Sequence, residues 1–135
     1  MPKRRRGSQR VGRRSHHVGF ERLVERALAG IPSPFRDALA EVAIVIDDLP
    51  SRDQLAENEL DVDDTLYGLY EGVPRTEYGA DWVAAPNRIT LFRLPLEEDF
   101  PDPDDLADEV RITVIHELAH HLGIDDDRLE ELGMD

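Results

Sequence analysis

The sequence predicts one α+β domain, with short strands packed on helices and a buried helix close to the C-terminus. Three observations lead there. Apolar residues recur at three-and-four spacing early on, at Phe20, Leu23, Val24, Ala27, Leu28 and Ile31, as on one face of a helix. Three separate short runs, 42–46, 65–70 and 89–92, are rich in β-branched or aromatic residues. From Leu106 to Leu122 no glycine or proline intervenes, and apolar side chains point to most sides, so this helix is enclosed by the rest of the domain. A chain of 135 residues has room for one core and not for two comfortable ones.

Taken in order, residues 1–18 form a basic tail expected to be disordered, and 19–135 the folded domain. The first helix spans 19–30 and ends at Gly30 and Pro32. Ser33 and Pro34 have the chemistry of an N-cap and first turn, which predicts a second short helix to about Glu41. Val42-Ala43-Ile44-Val45-Ile46 reads as a buried strand bounded by Asp47-Asp48-Leu49-Pro50. Residues 51–64 read as an acidic loop with room for one helical turn. A strand over 65–70 and a long irregular connection follow, then a strand at Ile89–Phe92 flanked by Arg88 and Arg93 and stopped by Pro95. Pro101-Asp102-Pro103-Asp104-Asp105 opens the buried helix, its acids facing the positive end of the dipole. Gly123 caps its C-terminus, and Asp125 or Asp126 caps a last short helix with Leu129 and Leu132.

Composition narrows the function classes. No apolar run approaches the roughly 18–20 residues of a bilayer crossing, and no apolar segment follows the basic N-terminus as a secretory signal requires, so the expected location is cytoplasmic and no membrane partner is expected. The net charge of −14 is unevenly spread: seven of the 16 basic residues lie before residue 21, where there is no acid, leaving nine against 30 acids, a net of −21, in the remainder. Such a body repels nucleic acid, so contact with phosphate is expected only through the tail. There is no cysteine, which excludes disulfides and thiolate metal sites and leaves His, Asp and Glu as ligands.

The residues that carry chemistry lie on the buried helix. His116 and His120 are four apart, hence on one face, where two imidazoles can share an ion with zinc–nitrogen bonds of about 2.0–2.1 Å. Glu117 stands about 100° round the helix from His116, able to reach a water on the metal without being a ligand. In an HExxH arrangement this glutamate is the general base, taking a proton from water whose pKa the metal lowers. Catalytic zinc usually has three protein ligands. Gly123 lets the chain turn sharply off the helix, and Asp126, three residues later, is the predicted third ligand.

The run His116-Glu117-Leu118-Ala119-His120-His121-Leu122-Gly123-Ile124-Asp125-Asp126 resembles the extended zincin signature HExxHxxGxxH/D of metzincin-type metallopeptidases, in the form ending in aspartate. More narrowly, Leu66-Tyr67-Gly68-Leu69-Tyr70-Glu71-Gly72-Val73-Pro74, Arg88–Arg93 and Glu109–Glu117 are similar to the small bacterial zincin-like metallopeptidases, a resemblance covering roughly residues 20–133. It implies a minimal zincin fold with a short mixed sheet packed on helices beside a buried active-site helix. It also implies zinc at His116, His120 and Asp126, with Glu117 as base.

The resulting expectation is a zinc-dependent hydrolase, most simply a metallopeptidase acting on a peptide or protein, with extended substrate along an exposed strand edge at Arg88–Arg93. The alternative is a non-catalytic, metal-stabilised binding or regulatory protein of the same fold. Other polar residues carry blander readings. His121 points away from the ligands, at the surface or behind them. Asp125 and Asp127 are helix-cap acids, and Glu130 and Glu131, the fallback ligands, belong to a solvated face. Tyr67, Tyr70 and Tyr78 could offer a hydroxyl to an oxyanion, but packing is the expected role of each.

Overall fold

A computed structural model describes residues 9–72 and 87–133. The fold is α+β, as the sequence predicts, and is consistent with a minimal zincin-like arrangement. Helix α1 spans Gln9–Ala29, α2 Phe35–Ala38 with a 3₁₀ turn Leu39–Glu41 after it, and β1 Ala43–Asp47. Then come α3 at Arg52–Glu57, β2 at Gly68–Glu71, β3 at Arg88–Phe92, α4 at Arg93–Asp99, α5 at Pro103–Leu122 and α6 at Asp126–Glu131. Helix α1 starts ten residues before the expected 19 and so overlaps the segment 1–18 assigned to the tail, where Gln9, Arg10, Arg13 and Arg14 are good helix formers. Residues 1–8 of that tail, and the irregular connection at 73–86 with Tyr78, lie outside the described residues.

The three strands form one mixed sheet in the order β1-β3-β2. Strand β1 runs parallel to β3, with Ala43 opposite Arg88, and β2 runs antiparallel to it, with Gly68 opposite Leu91. Two expectations are corrected by this order. The Val42–Ile46 run, expected to be buried, is an outer strand whose Ile44, Val45 and Ile46 are only half-buried, because among the described residues β3 is its one strand neighbour. The segment Arg88–Arg93, expected to offer an exposed edge, begins as the central strand: β3 is paired on both sides, and Ile89, Thr90, Leu91 and Phe92 are buried.

Helix α3 falls in the acidic segment expected to hold one helical turn, and α4 begins where the strand was expected to stop at Pro95. In α3 the Ser51 hydroxyl accepts from the Gln54 amide while the Gln54 side chain accepts from the Ser51 amide, a capping box that stabilises a helix in an acidic segment. Pro95 falls in the first turn of α4, where its missing N–H is tolerated. Ser33, conversely, is not the cap of α2; Pro34 occupies that position without a side-chain hydrogen bond.

Helix α5 is the centre of the fold. Asp102 caps it, accepting from the amides of Asp104 and Asp105. Leu106, Val110, Val114, Ile115, Leu118 and Ala119 are buried in one cluster with Phe20, Val24, Ala27 and Ile31 of the α1 region, Phe35 and Ala38 of α2, and Ile89 and Leu91 of β3. Full burial of a side chain such as Leu118 contributes about 1.5–3 kcal/mol. Strand β2 lies against α5 because Gly68 has no side chain: a Cβ there would stand 2.6 Å from Thr113 Cγ2. Among the described residues no helix is long and apolar enough to cross a membrane.

Candidate metal centre

The C-terminal turns of α5 bring His116, Glu117 and His120 to one end of the domain. Gly123 then adopts φ 75°, a left-handed conformation that favours glycine. Its amide donates to His120 O and the Ile124 amide to Ala119 O, the paired closure of a Schellman turn. Asp125 accepts from the Arg128 amide and starts α6, with Asp126 as its first residue. Helix, glycine turn and cap together fold Asp126 back on His116, so that Oδ1 lies 3.0 Å from His116 Nε2.

Glu117 sits at the junction of helix and sheet. Its Oε1 accepts from the backbone N–H of Tyr70 at 2.9 Å and lies 3.4 Å from His120 Nδ1. The Tyr70 contact follows from strand parity. Tyr67 O accepts from the Phe92 amide, so Tyr67, Leu69 and Glu71 face β3 with their backbone groups, while Gly68 and Tyr70 face outward. Burial grades across the group: the side chain of Glu117 is 14% exposed, those of His116 and His120 39% and 56%, and that of Asp126 79%. The hydrogen bond to Glu117 raises the His120 pKa above the ordinary imidazole value; burial opposes this, and the charges of Glu117 and Asp126 add to it.

Two imidazoles and a carboxylate are the nitrogen and oxygen donors of a catalytic zinc site. Two ligand atoms on a tetrahedral zinc stand about 3.3 Å apart, given bonds of about 2.0–2.1 Å. His116 Nε2 and Asp126 Oδ1 stand closer than that, at the hydrogen-bonding distance of 3.0 Å. The His120 ring is turned differently: its centroid is 6.5 Å from that of His116 at an interplanar angle of 88°, with Nδ1 toward Glu117. Among the described residues no three His, Asp or Glu side chains converge as a set that could hold a metal ion. His116 and Asp126 are thus brought together, and His120 is brought alongside without joining them.

His121 is fully buried and points away from the group. Its Nε2 donates to Glu41 Oε1 at 2.7 Å; the Tyr70 hydroxyl donates to Asn87 Oδ1 at 3.0 Å, and its oxygen lies 3.1 Å from His121 Nδ1. The sequence holds a signal for this burial, because His121 continues the stripe of Val114 and Leu118 at helical spacing. It holds none for Glu41, 80 residues away. Tyr67 is also committed elsewhere: its hydroxyl donates to Asp99, which with burial and the charges of Asp99 and Glu109 pushes its pKa up to about 12. Its ring packs edge-on against Phe100 at 5.5 Å.

A helix bearing HExxH beneath the antiparallel edge strand of a small mixed sheet, with an acidic residue folded back under its first histidine, defines a zincin-type domain. The family model for zincin-like metallopeptidases matches residues 39–134, and the chain belongs to that family. No curated protein matches the chain.

Proposed function

We propose that this domain is a zinc-dependent hydrolase of peptide bonds, with His116, His120 and Asp126 as metal ligands and Glu117 as general base. The observation that supports the reading is the 3.0 Å hydrogen bond between His116 Nε2 and Asp126 Oδ1 across the Gly123 turn, which brings together a nitrogen and an oxygen donor of the kinds zinc takes. A side-chain rotation of the half-exposed His120 ring away from Glu117 completes the set. Zinc held there would supply Lewis acidity, polarising a carbonyl and acidifying water.

The chain's own groups do the rest. Both contacts of Glu117 engage Oε1, so Oε2 is the atom that takes a proton from attacking water and returns it to the leaving amine. The Tyr70 N–H fixes the direction of the carboxylate through a charge-assisted hydrogen bond. Among the described residues the outward backbone groups of Gly68 lie on the edge of β2 that no strand pairs, and that edge is where an extended peptide would add as a further strand, in place of the central segment Arg88–Arg93.

The test is a peptide-library digest by the wild-type chain and by Glu117→Gln, with metal content measured on both. The proposal predicts a turnover loss of about 10²–10⁴ in the variant with metal retained. Equal turnover would remove Glu117 from the chemistry. Metal bound with no turnover by either protein would favour a metal-stabilised binding module.

A further inference from the structure

We propose that Glu41, His121 and Tyr70 form a buried strut that positions Glu117, with Tyr70 as the link gripped at both ends. The inference rests on the reading of Glu117 as general base and assigns the groups that aim it. At one end of Tyr70 the backbone N–H donates to Glu117 Oε1 at 2.9 Å. At the other its hydroxyl meets His121 Nδ1 at 3.1 Å, and the two rings lie 5.7 Å apart. His121, with no exposed surface, is anchored in turn by Glu41 Oε1 at 2.7 Å. Three elements distant in sequence are joined: the 3₁₀ turn before β1, the edge strand β2 and helix α5.

The fold makes such a strut necessary. Strand β2 has four residues and among the described residues pairs with β3 alone, and Gly68 contributes no side chain to hold it. Short edge elements with few packed side chains are the ones that open locally. If β2 drifts, the Tyr70 N–H drifts with it, and misplacement of a catalytic group by about 1 Å can cost about 10²-fold in rate. His121 stands next to His120 in sequence but about 100° round the helix from it, one turn beyond Glu117 on the same face. It is a positioning residue, acting on Glu117 through Tyr70.

The experiment compares the full chain with Tyr70→Phe, His121→Phe and His121→Asn. Amide hydrogen exchange at residue 70 is read by NMR with Thr90 and Val114 as internal references, and kcat and KM are measured on a peptide from the library digest. The strut predicts that Tyr70→Phe and His121→Phe speed exchange at residue 70 by about tenfold or more, since each removes two polar contacts, with the references unchanged. It also predicts that kcat falls about tenfold with KM within about twofold. His121→Asn, which keeps a polar atom near the place of Nδ1, restores part of both. Unchanged exchange at residue 70 in the two Phe variants overturns the strut, and so does a rise shared equally by Thr90 and Val114, which would make these residues general stabilisers. Glu117→Gln with full turnover would instead strike the base reading, while exchange at residue 70 still judges the strut without reference to turnover.

Discussion

The backbone N–H of Tyr70 donates to Glu117 Oε1 at 2.9 Å, tying the outward edge of β2 to helix α5 at the point where the candidate ligands gather. An unpaired N–H against a largely buried partner is costly. Glu117→Leu is therefore expected to lose about 1–3 kcal/mol of stability, whereas Glu117→Gln, which keeps an acceptor oxygen, loses less than half as much. Urea unfolding midpoints compare the two, and equal losses would mean that the hydrogen bond does not hold the edge.

Gly68→Ala places a methyl group 2.6 Å from Thr113 Cγ2 and forces β2 away from α5. The expected cost is about 1–3 kcal/mol, typical of overpacking. Thr113→Ala in the same chain removes the clashing carbon, so the double variant should be more stable than the sum of the singles by about 0.5–3 kcal/mol. Thermal unfolding of the four proteins closes the cycle, and strict additivity would count against the contact.

Glu109 has its pKa raised by burial, with the Thr113 hydrogen bond opposing the shift. An acid whose folded pKa lies above its unfolded value binds more protons when folded, so stability declines as pH rises through that window. The penalty is absent below the unfolded pKa and complete above the folded one. Glu109→Gln should accordingly melt a few degrees higher than wild type at pH 7 and match it near pH 3.5. A Tm difference that is the same at both pH values would contradict this.

Arg93 is buried at the start of α4, bonded to Asp48 Oδ1 at 2.7 Å and to Glu97 Oε1 at 2.9 Å. Removing the guanidinium leaves the largely buried Glu97 carboxylate without that partner, while removing the half-exposed Asp48 leaves Arg93 still paired with Glu97. Arg93→Ala should cost about 3–5 kcal/mol and Asp48→Ala about 1 kcal/mol or less. Chemical denaturation ranks them, and the reverse order would be inconsistent with this triad.

Local chemistry made α5 legible from the residues alone. Its Asp102 cap, its apolar stripe and the Gly123 stop act within a few positions of one another. The same holds for the placement of Asp126, where a left-handed glycine and the Asp125 cap determine the path between the two helices. Strand order was not legible, because nothing in Val42–Ile46 or Ile89–Phe92 says which of two apolar β-branched runs lies in the middle. Two-sided pairing decides that, and it makes Arg88–Phe92 the central strand and β2 an outer strand of the described sheet, beside Glu117. The Tyr70 amide and Glu41 escaped for a related reason: one is a backbone group with no residue type to announce it, and the other meets His121 from 80 residues away in sequence. The capping box at Ser51 and Gln54 was readable in principle, but the acidic surroundings hide its short helix.

Metal content of the purified full chain at neutral pH tests the central claim most directly, measured beside His116→Ala and Asp126→Ala. The account predicts about one zinc per wild-type chain, none retained by His116→Ala, and an affinity for Asp126→Ala reduced by tenfold or more. A wild-type chain that takes up no zinc, or that binds it equally well without His116 and without Asp126, would contradict it.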